Sequence, residues 1–297
     1  MKAQEWFKRG SKIQIDGHNI FYYDSDSVNL TQKPTLVILH GYPTCGFDYY
    51  KALPLLESQF RVVVHDHLGF GYSDKPFDYS YSLISQAQYA LKLWNRLDIN
   101  QAHILAHDYG TSVATEIIAK EHEKNLQDFT PSSVTLCNGS IHIELAKLRL
   151  IQKLLLNKFT GPIVARLSNK RTLAKNLKNI YHDKKAINDE EIDALWTMMT
   201  HNNGRKVLHK TTQYIRQRYT HWDRWIGGLK KTTLPIQIVW AENDPVAVIK
   251  IAELLHKECQ HSVLIKMNQL GHFPMLENPE KWAKAINAAI LDNTKLM

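Results

Sequence analysis

Residues 104–114 read ILAHDYGTSVA, an apolar run that ends in His107-Asp108-Tyr109-Gly110 and passes at once into a helical pattern. Such a junction marks a strand whose carboxyl end feeds directly into the first turn of a helix. Asp108 occupies the tip of that turn. Two positions to either side stand the small residues Ala106 and Gly110, and Thr111 and Ser112 follow. A turn this sharp brings the backbone almost into contact with itself, and small side chains let the helix pack closely on the sheet.

Working outward, five more apolar runs share the character of 102–110. They are TLVILHG (35–41), RVVVHDHLG (61–69), SSVTLCNG (132–139), PIQIVWAEND (235–244) and SVLIKM (262–267). Polar and apolar residues hardly alternate along them, as expected of strands covered on both faces of a parallel sheet. Helical patterns such as SLISQAQYALKLWNRLD and TSVATEIIAKEHEK lie between them. Strand, helix, strand, helix predicts an α/β fold with crossover helices. KIQIDGHNIFYYD (12–24) adds a hairpin turning at Asp16-Gly17. The alternation stops between about Ser140 and Lys231, where ELAKLRLIQKLLLNKF and DEEIDALWTMMTHN read as amphipathic helices. The expected layout is a core of residues 1–139 and 232–297, with a helical cap at 140–231 inserted after the fourth parallel strand. No repeat or low-complexity segment interrupts it.

With 297 residues, 44% of them hydrophobic and 22% charged, the chain has a soluble globular profile and length for a large core. No apolar run approaches the roughly 20 residues of a membrane-spanning helix. The opening MKAQEWFKRGSK has no apolar stretch, so no secretion signal is expected, and the expected location is cytoplasmic. Cys45, Cys137 and Cys259 are scattered without CxxC spacing and read as reduced, buried thiols. The histidines form no HExxH, and the His65-Asp66-His67 triplet is more often structural than a ligand set, so neither metal nor cofactor is expected. The net charge of +8 is uneven: residues 145–231 carry 19 Lys and Arg against 6 Asp and Glu, the remainder 18 against 23. Two readings fit this basic segment. LAKLRLIQKLLLNKFTGPIVARL (145–167) has the cationic amphipathic character of a helix that contacts an anionic surface. The simpler reading is a cap whose apolar face covers a site and whose lysines are solvated. No basic-aromatic module is present, so nucleic-acid binding is not expected.

Ligands of open α/β sheets bind beyond the carboxyl ends of the strands. The polar residues there are His40-Gly41-Tyr42-Pro43, Asp66, Asp108-Tyr109, Asn138-Gly139, Asp244 and, after the last strand, His272. Asp108, Asp244 and His272 stand in the chain order nucleophile, acid, histidine. Each alone has an ordinary explanation: a helix-cap aspartate, a turn residue before Pro245, a loop histidine beside Gly271. All three at the ends of the right strands in the right order point to a catalytic triad. A carboxylate is already ionised near neutral pH and needs no base to activate it. It can displace a leaving group at saturated carbon and form an alkyl ester, which a water activated by His272 then hydrolyses. Asp244 would orient the imidazole, and the backbone N–H groups of Tyr42 and Tyr109 would form the oxyanion hole.

The segments LHGYPT, HDHLGFGYSDKP, AHDYG, WAENDPV and LGHFPMLENPE resemble the epoxide hydrolase and haloalkane dehalogenase branch of the α/β-hydrolases, over the whole catalytic core in the right order. HGYPT, AHDYGTSVA, LCNGSIH, TTQYIRQRYTHWDRWIGGL and ENDPV are most similar to the mesoderm-specific transcript group. The resemblance implies an α/β-hydrolase fold with a cap and no cofactor. Dehalogenases of this branch hold the halide with an asparagine after the His-Gly pair and a tryptophan after the nucleophile; Tyr42 and Tyr109 stand there instead. Epoxide hydrolases use cap tyrosines, and Tyr214 lies close to such a position. Tyr219 is a second candidate, and Tyr181 a partner from earlier in the cap. Packing with a wet hydroxyl is the ordinary alternative for each. His67 replaces an arginine common in the family. Trp196, Trp222 and Trp225 read as anchors between cap and core, one of them a candidate for the pocket wall. The expected function is hydrolysis of a small hydrophobic electrophile with water as co-substrate, epoxide hydrolase-like. A haloalkane dehalogenase-like enzyme and a non-catalytic ligand-binding protein on the same fold are the alternatives. The aspartate itself argues against a serine-type esterase.

Overall fold

Eight strands form one sheet in a computed structural model that describes residues 1–28 and 30–293. Strands β1 (Ser11–Ile15) and β2 (His18–Asp24) make the antiparallel hairpin, with Ile15 opposite His18. Asp16 and Gly17 both take positive φ, 48° and 82°, the backbone that a two-residue hairpin of matching twist requires. The other strands are β3 (Thr35–Leu39), β4 (Arg61–His65), β5 (Gln101–His107), β6 (Thr130–Cys137), β7 (Ile236–Ala241) and β8 (Ser262–Met267). They run parallel, and the sheet order is β1-β2-β4-β3-β5-β6-β7-β8, with β2 antiparallel to β4.

Successive residues of one strand feed opposite layers. In β3, Val37 and Leu39 enter the core on one face, Leu36 and Ile38 that on the other. All four are fully buried, each worth about 1.5–3 kcal/mol of apolar transfer. Helices α1 (Ala3–Arg9) and α2 (Leu53–Glu57) cover one face; α3 (Leu83–Arg96) and α4 (Tyr109–His122) cover the other. Ser82 starts α3 by accepting the Ser85 N–H on its Oγ at 3.0 Å.

Between β6 and β7 the described residues form helices and no strand: α5 (Leu150–Leu156), α6 (Thr160–Leu167), α7 (Lys170–Lys178), α8 (Asp189–Thr200), α9 (Leu208–Thr211), α10 (Tyr214–Thr220) and α11 (Trp222–Lys231). α11 departs from a purely cap role. It lies along α4, where Trp225 Nε1 donates to Glu116 Oε2 at 2.8 Å and Arg224 pairs with the same carboxylate at 2.9 Å. Gly228 permits the approach: a Cβ there would stand 3.2 Å from Ala119 Cα. The chain closes with α12 (Ile249–Glu258) on the α4 side, then α13 (Pro274–Glu277) and α14 (Pro279–Asn293) on the α2 side. Among the described residues no helix is long and apolar enough to cross a membrane. Cys45, Cys137 and Cys259 are free and buried.

Candidate active site

β5 ends at His107 and α4 begins at Tyr109, which leaves Asp108 to make the whole turn at φ 44°, ψ −106°. A residue with a side chain held there costs on the order of 1–3 kcal/mol, so its surroundings must fix it. Gly110 sits so close to β3 that a Cβ would meet Leu39 O at 2.1 Å. Asp108 N donates to Cys137 O at 3.2 Å. Its carbonyl accepts from Thr111 Oγ1 at 2.6 Å and from Arg218 Nη2 at 2.9 Å. The side chain is presented at the carboxyl edge of the sheet, where the Tyr42 N–H donates to Asp108 Oδ2 at 2.9 Å.

The loops after β7 and β8 supply the other two groups. His272 Nδ1 donates to Asp244 Oδ2 at 2.7 Å. Oδ2 also accepts from Asn138 Nδ2 at 2.9 Å, and Oδ1 accepts the backbone N–H groups of Val246 (2.7 Å) and Ala247 (3.0 Å). Four donors thus fix the carboxylate, which in turn fixes the imidazole tautomer. The His272 backbone is held as well: its N–H donates to Ile180 O of the cap at 2.8 Å, and its carbonyl accepts from His107 Nε2 at 2.7 Å. Burial opposes a charge on His272, but Asp244, with Asp108 nearby, outweighs it and pushes the pKa up to about 9. Asp48 is pushed well above the carboxylate range by burial, against the hydrogen bond from Thr44 Oγ1.

Asp108 and His272 both face a cavity of about 240 Å³ between core and cap. Leu155, Leu177, Leu208 and Val246 make its wall largely apolar, and Gln152 supplies an amide. The structure therefore sets Asp108 and His272 on one chamber, with Asp244 bonded behind the imidazole and the Tyr42 N–H on the nucleophile candidate.

The tyrosines divide. Tyr42 lines the cavity, and its hydroxyl is spent on Thr212 Oγ1 at 2.7 Å. Tyr109 is buried under the elbow. Tyr214 lies one layer behind the wall rather than in it. Its ring packs 5.4 Å from that of Tyr42 and 5.2 Å from that of Tyr109, and its hydroxyl accepts from Gln152 Nε2 at 3.3 Å. α10 turns this face onto the elbow, so Gln152 reaches the cavity in its place. Tyr181 stacks on Phe273 at 5.8 Å, outside the cavity wall, and Tyr219 is 57% exposed. Trp196, Trp222 and Trp225 do not line the cavity either; Trp222 donates to Glu144 Oε2 at 3.1 Å, and Trp225 holds α11 to α4.

Sequence reading missed Arg218 and the use of Asn138. Arg218 is 1% exposed and hydrogen-bonds no carboxylate among the described residues. Its guanidinium reaches Ser112 Oγ, Ser140 Oγ and the Asp108 carbonyl, and stacks 4.8 Å from the centroid of Tyr214. The only sequence signal was its place one turn after Tyr214. The His65-Asp66-His67 triplet is a loop scaffold: Asp66 accepts from Gly46 N (2.8 Å) and Tyr72 N (2.7 Å), and the His67 N–H donates to His40 Nε2 at 2.9 Å. Burial drives His40 down to about 3 and His65 to about 4, so both rings are neutral. No group of three or more metal-ligating side chains is placed to hold an ion among the described residues.

A parallel sheet with an acid-bearing elbow under a helical cap defines a class: the chain belongs to the alpha/beta hydrolase fold family, which it matches over residues 34–279. Two relatives are each 34% identical to it. "Putative hydrolase LipZ" of Mycobacterium tuberculosis aligns over 259 residues, 87% of this chain and 89% of that protein. The mesoderm-specific transcript homolog protein of Homo sapiens aligns over 281 residues, 92% of this chain and 83% of that protein. Among solved structures, haloalkane dehalogenase DbeA from Bradyrhizobium elkani superimposes with a TM-score of 0.81 over 97% of this chain and 99% of that one. At 17% identity the likeness is one of fold.

Proposed function

We propose that this hydrolase opens a small hydrophobic electrophile by attack of the Asp108 carboxylate, and that its substrates are epoxides. The supporting observation is the Tyr42 N–H 2.9 Å from Asp108 Oδ2, in a chamber that His272 also lines. An Asp108 oxygen bonds to one ring carbon as the carbon–oxygen bond of the ring breaks. The freed oxygen takes a proton, for which the charged His272 is the acid on the same wall. The charge on Asp108 vanishes in the ester, and with it one of the groups that hold the His272 proton. Neutral His272 then takes a proton from water, whose oxygen attacks the Asp108 carboxyl carbon. The Tyr42 N–H stabilises the resulting oxyanion, as donors aimed at developing charge do. Collapse releases a diol, with aspartate and charged histidine restored. An epoxide fits better than an alkyl halide because Tyr42 and Tyr109 stand where halide donors would be needed.

His272→Gln blocks the second half and slows the first, in which the freed ring oxygen then takes its proton from water. Its intact mass after exposure to a panel of epoxides and haloalkanes is expected to rise by one epoxide, with the adduct on Asp108. An adduct from haloalkanes alone would replace the epoxide reading. In single turnover in ¹⁸O-water, wild-type enzyme is expected to place label in Asp108 and none in the first diol; label in that diol rules out the ester.

A further inference from the structure

The outer surface of the cap carries apolar side chains that no described residue covers. Leu150 (72% exposed) and Leu154 (37%) lie one turn apart on α5. Phe159 (86%), Ile163 (60%) and Leu167 (72%) repeat every fourth residue along α6. Scattered exposed hydrophobics need no explanation. Five within residues 150–167, at the spacing of one helical face, make a continuous feature. The two helices form a tight hairpin. Asn157 Oδ1 accepts the Phe159 N–H at 2.9 Å, Thr160 Oγ1 donates to Leu154 O at 2.7 Å, and a Cβ on Gly161 would meet Leu155 O at 2.4 Å. Leu154 and Phe159 therefore flank its bend.

The same helices wall the cavity with their other face, through Leu155 and Val164. Leu167 belongs to both surfaces, and so does the start of α7, where Asn169 and Thr172 are exposed and line the cavity. The chamber thus reaches the exterior at the α6–α7 junction, at the edge of the apolar ridge.

Charge states what this ridge meets. Residues 145–182 contain nine Lys and Arg and no Asp or Glu. Lys153, Lys158, Arg166, Arg171 and Lys175 are exposed and make no ion pair among the described residues. Exposed apolar side chains interspersed with unpaired cations along the same helices match the interface of an anionic bilayer, where the apolar chains enter the acyl boundary and the cations meet headgroups.

We infer that the α5–α6 face docks on an anionic lipid surface and admits substrate from the bilayer through the α6–α7 junction. Co-sedimentation of the whole chain with phosphatidylcholine vesicles, with and without phosphatidylserine, tests the docking. Binding is expected with phosphatidylserine and is expected to weaken on the order of tenfold or more in Lys153→Glu/Lys158→Glu/Arg166→Glu. Leu154→Glu/Phe159→Glu/Ile163→Glu is expected to abolish the part that survives high salt. Phe159→Cys carrying a polarity-sensitive dye keeps the test independent of how those variants fold, since the three native cysteines are buried. Its emission is expected to shift blue with phosphatidylserine vesicles. An unshifted dye, equal binding to neutral vesicles, or undiminished binding by the apolar triple variant overturns the inference. So does a dimer in solution that the triple variant dissolves, which would make the ridge an interface between two copies of this chain. None of these readouts uses turnover, so they stand apart from the chemistry proposed for Asp108.

Discussion

Arg218 places a buried positive charge one hydrogen bond behind the candidate nucleophile. Nothing in the sequence distinguishes it from the solvated cations around it, because its meaning lies in Ser112, Ser140 and Asp108, all about eighty or more positions away. Asn138 is similar: it stood after a strand, but its bond to Asp244 depends on how β6 and β7 align. Asp108, Asp244 and His272 were legible because parallel strands put their carboxyl ends in one place, so position after a strand implies proximity. His272 carries a pH dependence with a definite sign. Its folded pKa, about 9, lies above the ordinary 6.5, so its stabilisation is complete below about 6.5 and is lost as pH rises through 9. Urea unfolding of wild type minus His272→Gln is expected to show a difference that shrinks between those limits, by on the order of 3 kcal/mol at most. A difference that grows with pH contradicts the charged pair.

Strands and hairpin could be read directly, since continuous apolar runs follow from burial on both faces and Asp16-Gly17 suits a turn of positive φ. The boundary inside 140–231 could not. A helix that packs on the core and one that roofs a cavity show the same 3.6-residue period, and only the contacts of α11 with α4 separate them. That contact has a testable weight. Glu116 is 1% exposed and accepts from both Trp225 and Arg224. Glu116→Leu strands the buried Trp225 N–H and leaves Arg224 only Glu123, and is expected to lower unfolding free energy by about 1–3 kcal/mol, with Glu116→Gln losing less because its carbonyl still serves Trp225. Equal denaturation midpoints for wild type and Glu116→Leu refute the role given to this seam.

Cap and core together define what enters. The sequence announced a cap but not its chamber, whose walls come from α5, α6, α7 and α9 against the elbow. Leu177 lies on that wall and is 2% exposed. Leu177→Phe takes up part of the roughly 240 Å³ and is expected to raise KM several-fold for the bulkier of two homologous substrates while sparing the smaller. Equal changes for both would place the substrate elsewhere. Position in space also separates Tyr214 from the cavity, since Gln152 stands between the two.

The bond from the His272 amide to the Ile180 carbonyl, together with the backbone of His182 standing 2.5 Å from where a side chain on Gly271 would begin, stitches the roof to the loop that bears the imidazole. Lifting the whole roof would drag that imidazole out of register, so a swinging-door cycle is denied to this architecture. The cavity edge beside the exposed Leu167 is then the way in and out that leaves this stitching intact.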